Sequence, residues 1–217
     1  MIVTIDGPAG AGKSSTAREL ASRLGFVFLD TGAMYRAVTW LCLKEGIDLH
    51  DEQAVATAAR RWQLQFDAGR VLVEGVDVTR EIRRSAVTYE TRFVAGNNRA
   101  RAYLVERQRQ LAQGHDVVTE GRDQGTVAFP NAECKFYLTA SPHKRALRRQ
   151  QDLASTGEQI PLAEILEQQE GRDQRDQLRE IGGLKPADDA LIIDTSDLSF
   201  EDVVTRMEQI VRERLRG

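Results

Sequence analysis

The stretch "IDGPAGAGKSSTA", residues 5–17, constrains the fold more than any other feature of this chain. From Gly7 to Ser14 its spacing follows G-x-x-x-x-G-K-[ST], the pattern of a loop whose backbone N–H groups surround an anion. The preceding "MIVTI" predicts a buried strand, and the following "SSTARELASRLG" predicts a helix with apolar residues along one side. Strand, glycine loop and helix together predict a phosphate site for a nucleoside triphosphate.

Within this loop, Lys13 is expected to neutralise the β- and γ-phosphates, and the Ser14 hydroxyl is expected to bind Mg²⁺. A simple capping role at the helix N-terminus is equally compatible with Ser14. A second acid at a neighbouring strand end should help hold the metal, and "VVTEGRD" offers Glu120 or Asp123, which spacing does not distinguish. The residues assigned to binding the triphosphate are Gly7, Pro8, Ala9, Gly10, Ala11, Gly12, Lys13, Ser14 and Ser15.

Alternation of strands and helices predicts an α/β fold. "FVFLD" is typical of a short strand, and "MYRAVTWLCLKEG" of a helix ended by Gly46. Three more strands are predicted in "DVVTEGRDQGTVAFP", "AECKFYLTA" and "DALIIDTSD", with helices between them and from about Phe200 to Leu215. This order favours a five-stranded parallel sheet with helices on its faces. Residues 62–79 instead alternate polar and apolar residues around the turn "DAG", which predicts a small antiparallel insert.

Composition excludes several classes of protein. A length of 217 residues suffices for one domain with inserts, and a net charge of −3 disfavours a nucleic-acid-binding protein. Cys42 and Cys134 are isolated and the three histidines are scattered, so neither a disulfide framework nor structural zinc is expected. We expect no leader, because the sequence opens directly on a predicted strand, and no apolar run reaches about 18 residues. We therefore expect a cytoplasmic monomer without a membrane or nucleic-acid partner.

Arginine is far commoner than lysine, of which the chain has five. Genome bias or a heat-adapted surface could explain the excess as a whole, so each arginine is judged by its position. Arg122 and Asp123 directly follow a strand, at the sheet edge where open parallel sheets bind ligands. Arg36 follows the second strand and offers another anion contact. For the Arg122 and Asp123 pair, the alternative is an exposed ion pair in a loop.

The segment "EGRDQRDQLRE" places four charged groups on one helical face, namely Arg172, Arg175, Asp176 and Arg179. Like charges at this spacing repel one another, whereas a bound anion would stabilise them. Neutralisation of a solvated surface by neighbouring acids is the equal alternative.

A triphosphate loop and several arginines at one sheet edge suit two phosphorylated substrates. Phosphoryl transfer depends on positioning and charge neutralisation more than on a base, so the scarcity of histidine is no objection. The alternatives are a kinase of UMP or of a metabolite hydroxyl, a GTP-dependent switch and a nucleic-acid-remodelling ATPase. The switch would need an Asn-Lys-x-Asp segment, which this sequence lacks, and the acidic pI of about 5.7 disfavours the ATPase.

With these residues the sequence resembles the bacterial cytidylate kinases, a branch of the nucleoside monophosphate (NMP) kinases. The likeness is carried by the phosphate loop and by "LDTGAMYRA", "EGRDQGTVAFPNA", "RDQRD" and "PADDALIIDTSDLS", in the family's order. It implies a P-loop NTPase-type three-layer α/β fold with an antiparallel NMP-binding insert and a short helical lid. It also implies transfer from ATP, with Mg²⁺, to CMP or dCMP. The implied division is core 1–35, 96–147 and 171–217, insert 36–95 and lid 148–170.

The resemblance also implies roles for single residues. The implied catalytic residues are Lys13, Arg122, Arg172, Arg175 and Arg179, with Arg148 or Arg149 near ATP beside Arg172 and Arg175. The implied acceptor-binding residues are Thr31, Arg36, Arg101, Arg122, Asp123, Asp176 and Arg179: Arg36, Arg122 and Arg179 for the CMP phosphate, Arg101 and Asp123 for cytosine, and Asp176 for the ribose. In two places the sequence departs from close relatives. Ser14-Ser15 replaces Gly-Thr, and Arg92 stands where relatives have a serine among the cytosine contacts, which bears on the strictness of the base preference.

Overall fold

A computed structural model describes residues 1–61, 63–67, 69–155 and 157–216 of the chain. Its backbone contacts form two compact units, one comprising Met1–Leu29 with the chain from Gly114 onward, the other comprising Asp30–Gln113. The strands are β1 (Ile2–Asp6), β2 (Val27–Asp30), β3 (Leu64–Asp67), β4 (Arg70–Val73), β5 (Val76–Asp77), β6 (Val117–Glu120), β7 (Cys134–Thr139) and β8 (Leu191–Asp194). The α-helices are α1 (Lys13–Leu24), α2 (Thr31–Lys44), α3 (Glu52–Arg61), α4 (Ser85–Gly96), α5 (Asn98–Ala112), α6 (Pro142–Ser155), α7 (Leu162–Gln177) and α8 (Phe200–Arg216).

The first unit is built on a five-stranded sheet in the order β2-β6-β1-β7-β8. Strand β1 pairs in parallel with β6 and β7, and β7 pairs in parallel with β8. The chain leaves β1 for one side of the sheet and later returns to its other side, so β1 lies at the topological switch, where such sheets bind ligands. The predicted α/β fold of the P-loop type, with five parallel core strands, is confirmed.

Apolar side chains from the two central strands and two helices form the core of this unit. Val3 and Ile5 of β1 and Phe136 and Leu138 of β7 are almost completely buried. The predicted apolar side of α1 packs here, as does the buried face of α8. The strand core predicted within "DVVTEGRDQGTVAFP" forms at Val117–Glu120, but the segment then leaves the sheet in a π-type turn at Gln124–Ala128.

The second unit contains the small antiparallel sheet, in the order β3-β4-β5. Leu64 pairs with Val73 and Asp67 with Arg70, which confirms an antiparallel insert between residues 62 and 79. The predicted turn "DAG" includes Ala68, which lies outside the described residues. The predicted break near "GNN" is confirmed at Asn97, whose side chain accepts hydrogen bonds from Arg99 N and Ala100 N at the start of α5. Helix α3 was not predicted.

Helices α6 and α7 cover most of the predicted lid, residues 148–170, and share a small apolar cluster around Ala146, Leu153 and Ile165. Thr156, also in that interval, lies outside the described residues. The division into core, insert and lid at residues 36, 95, 148 and 170 stays a prediction. Across the described ranges, no helix combines the length and the apolar character that a membrane span needs.

Candidate active site

The loop between β1 and α1, residues 7–12, has a backbone that only glycine can adopt at its first position. Gly7 has φ 143°, and a Cβ there would lie 2.0 Å from the carbonyl oxygen of Leu138. Gly12 has φ 88° and caps α1 in the left-handed conformation. The two fixed glycines of the motif are therefore needed for different reasons. Gly7 lets the loop pass close to β7, and Gly12 adopts the left-handed conformation that begins α1.

Lys13 lies at the start of α1 and is buried. Its Nζ donates a hydrogen bond to the Pro8 carbonyl oxygen at 2.7 Å. Burial lowers the pKa of Lys13 to about 7, and the nearby charge of Arg122 acts in the same direction. An anion bound in the loop would favour the charged amine.

The Ser14 hydroxyl donates to Glu120 Oε1 at 2.9 Å, so the last residue of β6 meets the first turn of α1. Ser15 instead donates to the Gly12 carbonyl oxygen at 2.9 Å. Mg²⁺ in nucleotide sites uses one or two protein oxygens together with phosphates and water, and this hydroxyl and carboxylate fit that requirement. No cluster of three or more His, Cys, Asp or Glu side chains exists in the described part of the chain to form a metal site by itself.

Sequence reasoning missed Asp6, the residue that immediately precedes the loop. Its buried carboxylate accepts hydrogen bonds from Gln124 N at 2.8 Å and Gly125 N at 2.7 Å. Burial raises the pKa of Asp6 to about 6, although these two hydrogen bonds lower it. Asp6 thus fixes the π-type turn that follows Arg122 and Asp123. An acid that ends a buried apolar run was the available signal.

Arg122 and Arg179 converge on one carboxylate. The predicted four-residue helical face is only partly formed, because α7 ends at Gln177 and Arg179 lies beyond it. Arg122 Nε donates to Asp176 Oδ2 at 2.9 Å, and Arg179 Nη2 donates to Asp176 Oδ1. Burial alone would raise the pKa of Asp176, but the charges of Arg122 and Arg179 outweigh it and hold the pKa below its usual range. Two guanidinium groups around one carboxylate leave a net positive centre, which suits an anionic ligand.

The other predicted residues of this unit lie in different surroundings. The buried Asp123 accepts hydrogen bonds from Val127 N and Ala128 N through its carbonyl, at 2.8 and 3.1 Å. Arg172 and Arg175 are exposed on α7. Arg148 donates to the hydroxyl and carbonyl oxygens of Thr195 at 2.9 and 2.6 Å. The choice between Arg148 and Arg149 as the contact to ATP stays a prediction.

In the second unit, Thr31 is the buried first residue of α2. The preceding Asp30 caps that helix by accepting from Ala33 N at 2.8 Å. The Asp30 carboxylate also pairs with Arg36 at 3.3 Å and with Arg83, which sequence reasoning missed, at 3.0 Å. Arg36 is therefore held at the start of α2.

Two of the three residues predicted to bear on base preference, Arg101 and Arg92, also lie in the second unit. Arg101 is buried on α5 and donates to the Ala95 carbonyl oxygen at 3.4 Å. The Arg92 guanidinium lies 3.7 Å from the ring centre of Tyr89 and 4.6 Å from that of Phe93, and it pairs with Glu90 at 3.3 Å. Arg92 is thus held among aromatic rings of its own helix.

A parallel sheet whose first strand opens into this loop, with a buried lysine and an arginine-rich edge, defines a phosphotransferase of the P-loop kinase class. The sequence profile described as cytidylate kinase matches residues 3–213. The chain therefore belongs to the cytidylate kinase family.

Individual relatives agree with this assignment. A protein named cytidylate kinase from Rhodopirellula baltica is 48% identical over 213 residues, covering 98% of this chain and 93% of that protein. One of the same name from Caldanaerobacter subterraneus subsp. tengcongensis is 43% identical over 215 residues, covering 99% and 96%. The crystal structure of an uncharacterized protein from Eubacterium ventriosum has a TM-score of 0.51 at 11% identity, covering 99% and 98% of the two chains, and shows the fold alone.

Proposed function

We propose that this protein transfers the γ-phosphoryl group of ATP to CMP or dCMP, giving ADP and CDP or dCDP. One observation carries the proposal: Ser14, next to Lys13, donates to Glu120 at 2.9 Å, and two residues further along the chain Arg122 pairs with Asp176 at 2.9 Å. Two positive centres, one in the phosphate loop and one beyond β6, therefore adjoin. This is the arrangement that a triphosphate donor and a phosphorylated acceptor require. The names of the relatives supply the identity of the acceptor.

On the donor side, Lys13 and the backbone N–H groups of the loop would bind the β- and γ-phosphates of ATP. Ser14 and Glu120, directly or through water, would hold the Mg²⁺ that accompanies ATP. When bound, the ion supplies neutralising charge to the phosphates. Arg172 and Arg175, with Arg148 or Arg149, are proposed to stabilise the same phosphates.

On the acceptor side, Arg122 and Arg179, which both bond to Asp176, would also donate hydrogen bonds to the phosphate of CMP. That phosphate is already anionic, so its attack needs orientation and charge stabilisation more than a general base. Asp176 would then face the ribose, and Asp123 would accept from the cytosine amino group. Thr31, Arg36 and Arg101 are also proposed to take part in acceptor recognition.

We also propose that the protein is a monomer in the cytoplasm. Both substrates are small anionic molecules, and the reaction needs no membrane and no nucleic acid. Sedimentation at assay concentrations tests the monomer, since activity tied to a larger species would contradict it.

Two substitutions separate base recognition from metal binding. Asp123→Asn should lower selectivity for CMP over UMP by about tenfold and leave the Mg²⁺ requirement unchanged. Glu120→Gln is the matched control, because Glu120 contacts Ser14, and it should raise the Mg²⁺ concentration needed for half-maximal rate. Steady-state kinetics with both acceptors across a Mg²⁺ titration measures both effects. Loss of Mg²⁺ affinity in Asp123→Asn, with selectivity intact, would assign Asp123 to the metal.

A further inference from the structure

A buried ion pair from helices α6 and α7 holds a single residue of the phosphate loop. Asp173 Oδ1 accepts a hydrogen bond from Ala9 N at 3.1 Å, and Arg145 Nη1 donates to the Ala9 carbonyl oxygen at 2.8 Å. The same Arg145 nitrogen donates to Asp173 Oδ2 at 2.5 Å. Arg145 is 5% exposed and Asp173 7% exposed. Both polar groups of Ala9 are thus bound by one pair, which none of the roles above uses.

Because peptide groups are planar, these contacts fix the directions in which the N–H and C=O groups around Ala9 point. The carbonyl oxygen of Pro8 accepts from Lys13 Nζ, and the N–H of Ala9 belongs to the same trans peptide and points the opposite way, to Asp173. Lys13 and Asp173 therefore lie on opposite sides of the loop. Arg145 draws the Ala9 carbonyl to the Asp173 side, so the N–H of Gly10, in the next peptide, must point to the Lys13 side.

The loop also approaches these helices very closely at Gly10. A Cβ at Gly10 would lie 2.8 Å from Gln169 Nε2 and 3.1 Å from Arg145 Cβ. Gln169 itself donates to the Arg145 carbonyl oxygen at 3.4 Å, and Arg145 Nε donates to that of Ala140 at 3.2 Å. The pair is therefore fixed by its surroundings on both helices. Burying an ion pair costs desolvation free energy that can cancel the attraction between the charges, so net stabilisation of the fold is a weak explanation for this pair.

We propose that Arg145 and Asp173 are positioning residues of the donor site. They hold the two peptide groups around Ala9 so that the N–H of Gly10 faces the side on which Lys13 receives phosphate. Neither residue needs to touch the nucleotide, because both act through the loop backbone. The identity of ATP as the nucleotide rests on the proposed function, whereas the orientation of the loop does not.

Two double variants test this proposal with the same change in charge. Arg145→Met with Asp173→Asn removes both charges and keeps an oxygen for the N–H of Ala9, whereas Arg145→Met with Asp173→Leu removes that acceptor too. Lys144→Met is the control, because Lys144 is the exposed neighbour of Arg145 on α6 and pairs with the exposed Asp197 at 3.4 Å. Titration calorimetry with Mg²⁺ and ATP, without acceptor, gives the Kd, and thermal melting gives the Tm.

We expect the Leu double variant to raise the Kd for ATP by about tenfold or more, since a misdirected N–H loses a charge-assisted hydrogen bond to phosphate. The Asn double variant should fall between it and the wild type, and the Kd for CMP should stay within about twofold throughout. An unchanged Kd for ATP in a folded Leu double variant would overturn the proposal. Equal weakening of ATP and CMP binding, in step with the Tm, would also overturn it and indicate a structural role.

One further variant, and the measurement of ATP binding without CMP, allow the proposal to be tested even if the double variants do not fold. If neither double variant folds, Arg145→Lys retains the charge with fewer donors, and it should raise the Kd for ATP without changing that for CMP. An Arg145→Lys protein with wild-type affinity for ATP would contradict the proposal. Because no acceptor is present, a wild type that binds ATP but does not phosphorylate CMP would refute the proposed function and leave the positioning test intact.

Discussion

The buried carboxylate of Asp6 should make the stability of this protein depend on pH in an unusual direction. Most buried carboxylates in ion pairs have lowered pKa values, but burial raises that of Asp6 from 3.8 to about 6. Between these two values the folded chain holds a proton that the unfolded chain has released. The stabilising contribution of the protonated carboxyl is therefore complete below pH 3.8 and is lost as the pH rises through 6.

The size of this effect follows from the pKa difference. A rise of about two pH units at about 1.4 kcal/mol per unit gives about 3 kcal/mol in the free energy of unfolding. Asp6→Asn replaces the carboxyl with an amide of nearly the same shape that does not titrate. Relative to the wild type, the variant should therefore gain about 3 kcal/mol between pH 4 and pH 7, on top of a constant offset from its altered hydrogen bonds to Gln124 N and Gly125 N.

Urea unfolding of the two proteins at half-unit steps across this range measures the difference directly. Asp152→Asn is the matched control, because it makes the same chemical change at an exposed aspartate on α6. A gap between wild type and Asp6→Asn that is the same at every pH would refute the reasoning. A free energy of unfolding of Asp6→Asn that falls relative to that of the wild type as the pH rises would also refute it.

Two further predictions concern the phosphate loop and the arginine centre. Gly7→Ala should cost about 1–3 kcal/mol of stability and weaken ATP binding severely, because its Cβ would lie 2.0 Å from the Leu138 carbonyl oxygen. Gly25→Ala, at φ 71° with open space around it, is the control; equal losses of ATP affinity in a calorimetric titration would contradict the steric argument. Arg122→Ala should lower kcat by about 100-fold or more and raise KM for CMP by a smaller factor, since Arg122 would bind the CMP phosphate and also stabilise the transferring phosphoryl group in the transition state. Unchanged turnover in that variant, with Arg212→Ala on the exposed side of α8 as control, would remove Arg122 from the proposed mechanism.

The sheet was predictable because its strands are short apolar runs between clear helix signals. Buried parallel strands read as near-continuous apolar segments, and "IVTID" and "CKFYLT" follow that pattern. Helix α3 was missed although its buried residues, Val55 and three alanines, lie on one side of the segment, so an amphipathic signal for it was present in the sequence. The strand predicted within "DVVTEGRDQGTVAFP" ends at Glu120, and a few residues later Gln124 N and Gly125 N donate to the Asp6 carboxylate, more than 100 positions away.

At the site, the motif predicted what local spacing can encode. Lys13 and Ser14 follow directly from the glycine pattern. Helical periodicity brought Asp176 and Arg179 together in the prediction, but α7 ends at Gln177, and Arg179 reaches Asp176 from beyond the helix end. The contact between Arg122 and Asp176 joins residues 54 positions apart, so no spacing rule could pair them. Asp173 and Arg145 act on the backbone of a distant loop, and a backbone amide leaves no signature in the side chains of a sequence.

The most direct test of the account is ADP formation with Mg²⁺ and ATP across a panel of acceptors: CMP, dCMP, UMP, AMP, GMP and none. The account predicts turnover with CMP and dCMP and little with the others. Comparable turnover with UMP would keep the reaction but show that the base pocket containing Arg92 is relaxed. ATP hydrolysis that is indifferent to every acceptor would contradict the proposed phosphoryl transfer to a nucleoside monophosphate.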